Sequence, residues 1–248
     1  MREGEAGTPV TVVSLPAQGR PWLGEPLCSA CYDSEAQVLW NALAPELWRR
    51  TTIALQRALG RLVGLQEGEL RRLVRVSYAE VAEFQRRGGA VHFHAVIRLD
   101  AATECRCPAC LAPPPAPFTA TVLEEALRLS VPAVRMPCPP VEGRPERYAR
   151  WGEQLDVRNI TRAEGEAGEL SAEQVAGYIA KHATKATESF GSGLDRRLHD
   201  GDLDHLDRLP GHVAELVRSC WALGVTLSWR ACRKNAGIWS QHSRGCRG

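Results

Sequence analysis

Apolar and polar residues alternate along several stretches of this chain, and a period of two marks strands with one buried face. Val10 to Leu15 is such a patch, set in a segment (1–24) otherwise rich in Gly, Pro and Glu. Arg72 to Gln85 is a longer one, with Leu73, Val74, Val76, Tyr78, Val81 and Phe84 as apolar positions. Arg86-Arg87-Gly88-Gly89 then signals a turn, and Val91 to Ile97 reads as a second strand. Trp151 to Ile160 alternates again, Leu155 and Val157 against Gln154, Asp156 and Arg158.

Helical spacing fills much of the rest. Asp33 to about Leu59 places Val38, Leu39, Leu43 and Leu47 on one face, with Pro45 an early interruption. Thr119 caps a helix running to about Leu129. Ser171-Ala172-Glu173-Gln174 is a capping-box start, and its helix runs through Tyr178 to about Glu188 before Gly191-Ser192-Gly193 ends it. A fourth amphipathic stretch covers 211–223, and proline-rich loops cover 103–117 and 132–145.

Facing positions of the two long strands concentrate the candidate chemistry. His92 and His94 flank Phe93, so both imidazoles project from one face of their strand. If residues 86–89 form the hairpin loop, Gln85 pairs with Ala90 and Glu83 lies directly opposite His92. One carboxylate and two imidazoles then converge as a metal site, whereas a slip of one residue would turn Glu83 away. Core histidines held by hydrogen bonds are the alternative. A cupin-like site expects a glutamate shortly after the second histidine, where Arg98 and Leu99 stand.

Composition changes this picture in two places. A net charge of +2 argues nothing alone, but Leu47 to Arg98 carries ten arginines against four acids. Such stretches neutralise phosphates or simply solvate a surface; Arg49, Arg50, Arg86 and Arg87 belong to it. Only three of the 31 basic residues are lysines, and two of them, Lys181 and Lys185, follow Tyr178 at i+3 and i+7 on its helix face. A tyrosine hydroxyl with a pKa of ~10 is a poor nucleophile. A nearby ammonium favours the phenolate, and a divalent cation on Glu83, His92 and His94 would polarise a phosphodiester oxygen. These are the parts for tyrosine attack on a nucleic-acid phosphate.

His92-Phe93-His94 followed by Tyr178-Ile179-Ala180-Lys181 resembles the HUH endonucleases. The phrases VAEFQRRGGAVHFHAVIRLD (81–100), WGEQLDVRNI (151–160), VAGYIAKHATKATE (175–188) and CYDSEAQVLWNALAPELWRRTT (31–52) are similar to the rolling-circle replication initiators of actinobacterial plasmids and integrative elements. The resemblance covers about Gly24 to Leu223. It implies an α+β fold with a central antiparallel sheet, helices packed on it and the histidines on a middle strand. It implies His92, His94 and Glu83 as metal ligands, Tyr178 as the nucleophile that nicks single-stranded origin DNA, and Lys181 as its assistant. Lys185, Arg86 and Arg87 would then contact DNA, and host replication machinery would extend the free 3′ end. Magnesium or manganese is the implied metal, though imidazole ligands also accept zinc.

The domain expectation is a divergent segment at 1–24, an HUH-type endonuclease domain at 25–223 and a divergent, irregular tail at 224–248, which looks like a shifted reading frame or a truncation. Family members usually carry a first core strand and another cysteine pair before the Cys28 region; either Val10–Leu15 supplies that strand or the sheet lacks an edge. Cys28-x-x-Cys31 and Cys107-x-x-Cys110 have the spacing of a four-thiolate zinc site and equally that of scattered reduced thiols. With no apolar run near ~20 residues and a polar start, the expected location is the cytoplasm, without a membrane partner. Three functions follow: a metal-dependent DNA nickase for replication or conjugative transfer, a non-catalytic DNA-binding remnant, and an RNA-processing enzyme.

Overall fold

Eleven-residue strands β2 (Val74–Phe84) and β3 (Val91–Ala101) form an antiparallel hairpin whose register runs from Val74 opposite Ala101 to Phe84 opposite Val91. The computed structural model describes residues 10–13, 26, 28, 31–84, 89–102, 112–140, 143, 145–160, 177, 199–209 and 211–226. Strand β1 (Val10–Val13) pairs with the other edge of β3 and also with β6 (Val157–Ile160), both antiparallel. The four-stranded order is therefore β2-β3-β1-β6, with β3 and β1 in the interior. The Val10–Leu15 patch thus contributes an inner strand.

One sheet face is apolar and collects the helices. Helix α1 (Ser34–Val63) is capped by the Asp33 carboxylate, which accepts from Ala36 N at 2.8 Å. It buries Leu39, Leu43, Leu47, Leu55 and Leu59 along a stripe of four-residue steps. Helix α3 (Ala120–Ala133), capped by Thr119, adds Leu123, Ala126 and Leu127. Against these pack Val74, Ala95, Ile97, Leu99 and Val157 of the sheet. Helix α4 (Gly211–Thr226) follows a 3-10 turn at Asp200–Arg208, and the two bury Leu206, Ala214 and Val217 between them.

Four expectations from the pattern shift. Pro45 lies inside α1 without ending it, because buried leucines on both sides of it hold the helix to one core. Arg72 and Leu73 close a short helix, α2 (Glu67–Leu73), whose start is fixed by Gln66 N donating to Glu69 Oε2 at 2.8 Å. A glutamine in the capping position hid that start from a search for Ser, Thr, Asp or Asn. The proline-rich stretch after α3 contains a ribbon, β4 (Arg135–Pro137) with β5 (Tyr148–Arg150), which packs Met136 and Ala149 on Leu43 and Leu47. Strand β6 is shorter than the Trp151–Ile160 alternation. Its first half is irregular chain, fixed by Trp151 donating to Thr51 Oγ1 at 2.7 Å.

Candidate active site

Register decides which side chains can meet on the second face of the sheet. Glu83 stands opposite His92 and Val81 opposite His94, the pairing expected from a loop at 86–89. Odd positions of β2 therefore share a face with even positions of β3: Glu83, Val81, Ala79, Ser77 and Arg75 with His92, His94, Val96, Arg98 and Asp100. His94 is buried and His92 half-buried. The side chain of Glu83 lies outside the described residues, as do those of Arg86 and Arg87.

The hairpin end is held from outside the sheet. Asn41 of α1 donates from Nδ2 to Gly89 O at 2.7 Å and accepts at Oδ1 from Val91 N at 3.1 Å. One amide thus fixes the backbone on both sides of Ala90, immediately before His92. Gly89 is buried and left-handed, with φ +66°, a conformation that suits glycine. Periodicity gave no sign of this clamp; a helical asparagine four residues before a proline was the available signal.

The same face ends in a charge cluster. Asp100 is fully buried, and Arg98 Nε lies 2.9 Å from its Oδ1 and 3.1 Å from its Oδ2, with the hydrogen bond made to Oδ2. Ser77 Oγ donates to that Oδ2 at 3.1 Å, and Arg75 approaches it at 3.7 Å. Two guanidinia on one carboxylate leave an excess positive charge beside the histidine strand.

Two imidazoles and a carboxylate position on facing strands make a donor set suited to a divalent cation. Among the described residues no group of three or more His, Cys, Asp or Glu side chains comes together as a metal site. Tyr178, Lys181 and Lys185 lie outside the described residues; Gly177, one position earlier, is helical and exposed. Cys28 and Cys31 are exposed and share no disulfide, and hydrogen bonding with the Cys28 thiol raises the Cys31 pKa. Their expected zinc partners Cys107 and Cys110 lie outside the described residues. Arg49 and Arg50 both pair with Glu46, at 2.6 and 2.9 Å, and these bonds lower the Glu46 pKa, Arg49 contributing most.

A family model described as "RepSA: Replication initiator protein, pSAM2" matches residues 2–247. This chain belongs to the RepSA family. The match extends past Gly24–Leu223, the stretch over which the recognisable phrases run. A replication initiator protein of Streptomyces ambofaciens is 42% identical over 208 residues, covering 82% of this chain. The chain spans 43% of the length of that relative. No solved structure matches it. The architecture is α+β, and among the described residues no helix is long and apolar enough to cross a membrane.

Proposed function

We propose that this RepSA-family chain initiates rolling-circle plasmid replication by nicking single-stranded origin DNA through a covalent tyrosine intermediate. The observation that carries the reading is the hairpin register, which sets Glu83 across from His92 on the face shared with His94. His92, His94 and Glu83 would hold magnesium or manganese, and that ion would supply polarisation of the scissile phosphodiester. The Tyr178 hydroxyl gives up its proton and its oxygen bonds to phosphorus. The P–O3′ bond breaks, and the departing oxygen takes a proton to become a free 3′ hydroxyl. The product is a 5′-phosphotyrosyl adduct, and the 3′ end is open to extension by the host polymerase. Lys181, three positions after Tyr178 in the sequence, would lower the cost of the phenolate.

Lys185, Arg86 and Arg87 would meet the DNA backbone in this scheme. A structural zinc on Cys28, Cys31, Cys107 and Cys110 is a separate proposal, supported by the adjacent thiols of the first pair. Metal analysis of protein purified without chelator should find one zinc, lost when Cys28 and Cys31 become serine.

The deciding experiment incubates the protein with labelled single-stranded origin DNA and manganese. A covalent adduct that resists denaturant should form, vanish with EDTA and be absent from Tyr178→Phe. An adduct surviving Tyr178→Phe rejects the nucleophile. Salt-sensitive binding with no adduct, unaltered by His92→Ala, would instead indicate a DNA-binding protein without nuclease activity.

A further inference from the structure

The face that bears the histidines continues past them as a charged surface. Strand registers put Arg75 of β2, Arg98 of β3 and Arg158 of β6 on it together with His92 and His94. Arg98 follows His94 by four residues on the same strand, ~13 Å away at the rise of an extended chain.

The three guanidinia are not equivalent. Arg158 Nε lies 3.0 Å from Asp156 Oδ2, so its charge is matched. Arg75 and Arg98 share the single carboxylate of Asp100, and that group keeps one uncompensated positive charge. Asp100 is fully buried, whereas the arginine side chains above it each keep 31% of their surface in solvent. An arriving anion therefore meets guanidinium and not carboxylate.

Arg98 stands two residues from Asp100 on the same strand, so their pairing ties no two elements together. Its effect is to fix the guanidinium on the histidine face. The one hydrogen bond from Arg98 to Asp100 leaves from Nε, and both terminal amino groups are left for another acceptor. Paired N–H donors on a planar cation match the oxygens of a phosphate. A nucleic-acid strand with one phosphate at the histidines carries others along the same face.

We propose that Arg98, with Arg75 beside it, holds a backbone phosphate of the single-stranded substrate a few nucleotides from the scissile one. The grip sets the line along which the strand crosses the sheet. The inference rests on the DNA-nicking reading and names a binding subsite for it.

The test replaces each phosphate of labelled single-stranded origin DNA in turn by an uncharged methylphosphonate and measures binding in EDTA. One position away from the nick should lose about tenfold, the scale of one charge-assisted contact. In Arg98→Gln that selective loss should disappear while losses elsewhere persist, and the salt slope should fall by about one. A purely structural arginine would weaken binding at every position and leave the selective loss in place. Arg75→Gln, whose guanidinium stands farther from Asp100 at 3.7 Å, takes over if Arg98→Gln does not fold. A profile with no sensitive position away from the nick overturns the proposal, as does a selective loss undiminished in the folded variant. Adduct formation with manganese is scored separately on unmodified DNA. An adduct with a flat profile rejects the phosphate grip, and a sensitive position abolished by the variant, without any adduct, rejects the nicking.

Discussion

Asn41 does its work with a single amide. Removing it leaves the Gly89 carbonyl and the Val91 N–H without their partner at the base of the hairpin. Asn41→Ala should therefore lower unfolding free energy by about 1–3 kcal/mol in a urea titration. Under the proposed function it should also weaken manganese binding, since His92 begins one residue beyond the clamp. Glu80 makes a second test at this scale. It stands on the apolar face of the edge strand, beside Tyr78 and opposite Ala95, exposed on one side, and partial desolvation pushes its carboxyl up to about 7. A carboxyl raised above its unfolded value holds its proton more tightly when folded, so the fold loses stability as pH climbs from about 4.5 through 7. Glu80→Gln should flatten that slope, melting higher than the parent at pH 8 and equally near pH 4.

Among the elements, the turn joining α1 to α2 is the least forgiving. Leu65 N donates to Gly60 O at 2.8 Å and Gly64 N to Arg61 O at 3.3 Å, closing the helix around a left-handed Gly64 with φ +71°. A Cβ on Gly60 would sit 2.8 Å from the Leu65 carbonyl oxygen, a backbone atom that cannot swing aside. Gly60→Ala should cost more than Gly64→Ala, which meets open space and costs about 1 kcal/mol through its positive φ. Thermal melts of the two variants order them. Elements with strong local signals were legible beforehand: the β2–β3 register followed from a loop of four turn residues, α1 from its leucine spacing and α3 from the Thr119 cap. Those governed by partners distant in sequence were not. The β4–β5 ribbon exists because Met136 and Ala149 find Leu43 and Leu47, and no local pattern announces that meeting. The histidine pair was readable because strand alternation is local; the Asn41 clamp and the approach of Arg75 to Asp100 were hidden because each depends on an assembled tertiary neighbour.

At the scale of the molecule, β3 separates the face bearing His92 and His94 from an aromatic cavity on the other side. Under the proposed function, charge should be visible in binding. Arg86→Ala combined with Arg87→Ala should weaken DNA binding and reduce the salt slope by about two, one for each guanidinium withdrawn from a phosphate. An unchanged slope would leave those arginines as solvated surface. Strand β1 has its own consequence. It is stitched into the sheet on both edges, by β3 and by β6, whose positions in the chain lie far from it and from each other. Until β6 has been synthesised, β1 lacks half its partners, and its open edge is an invitation to foreign strands. Newly made molecules are therefore most prone to clump during that interval, and a short peptide copying the Val10–Val13 strand should hinder renaturation by taking the berth first, where a scrambled peptide should not.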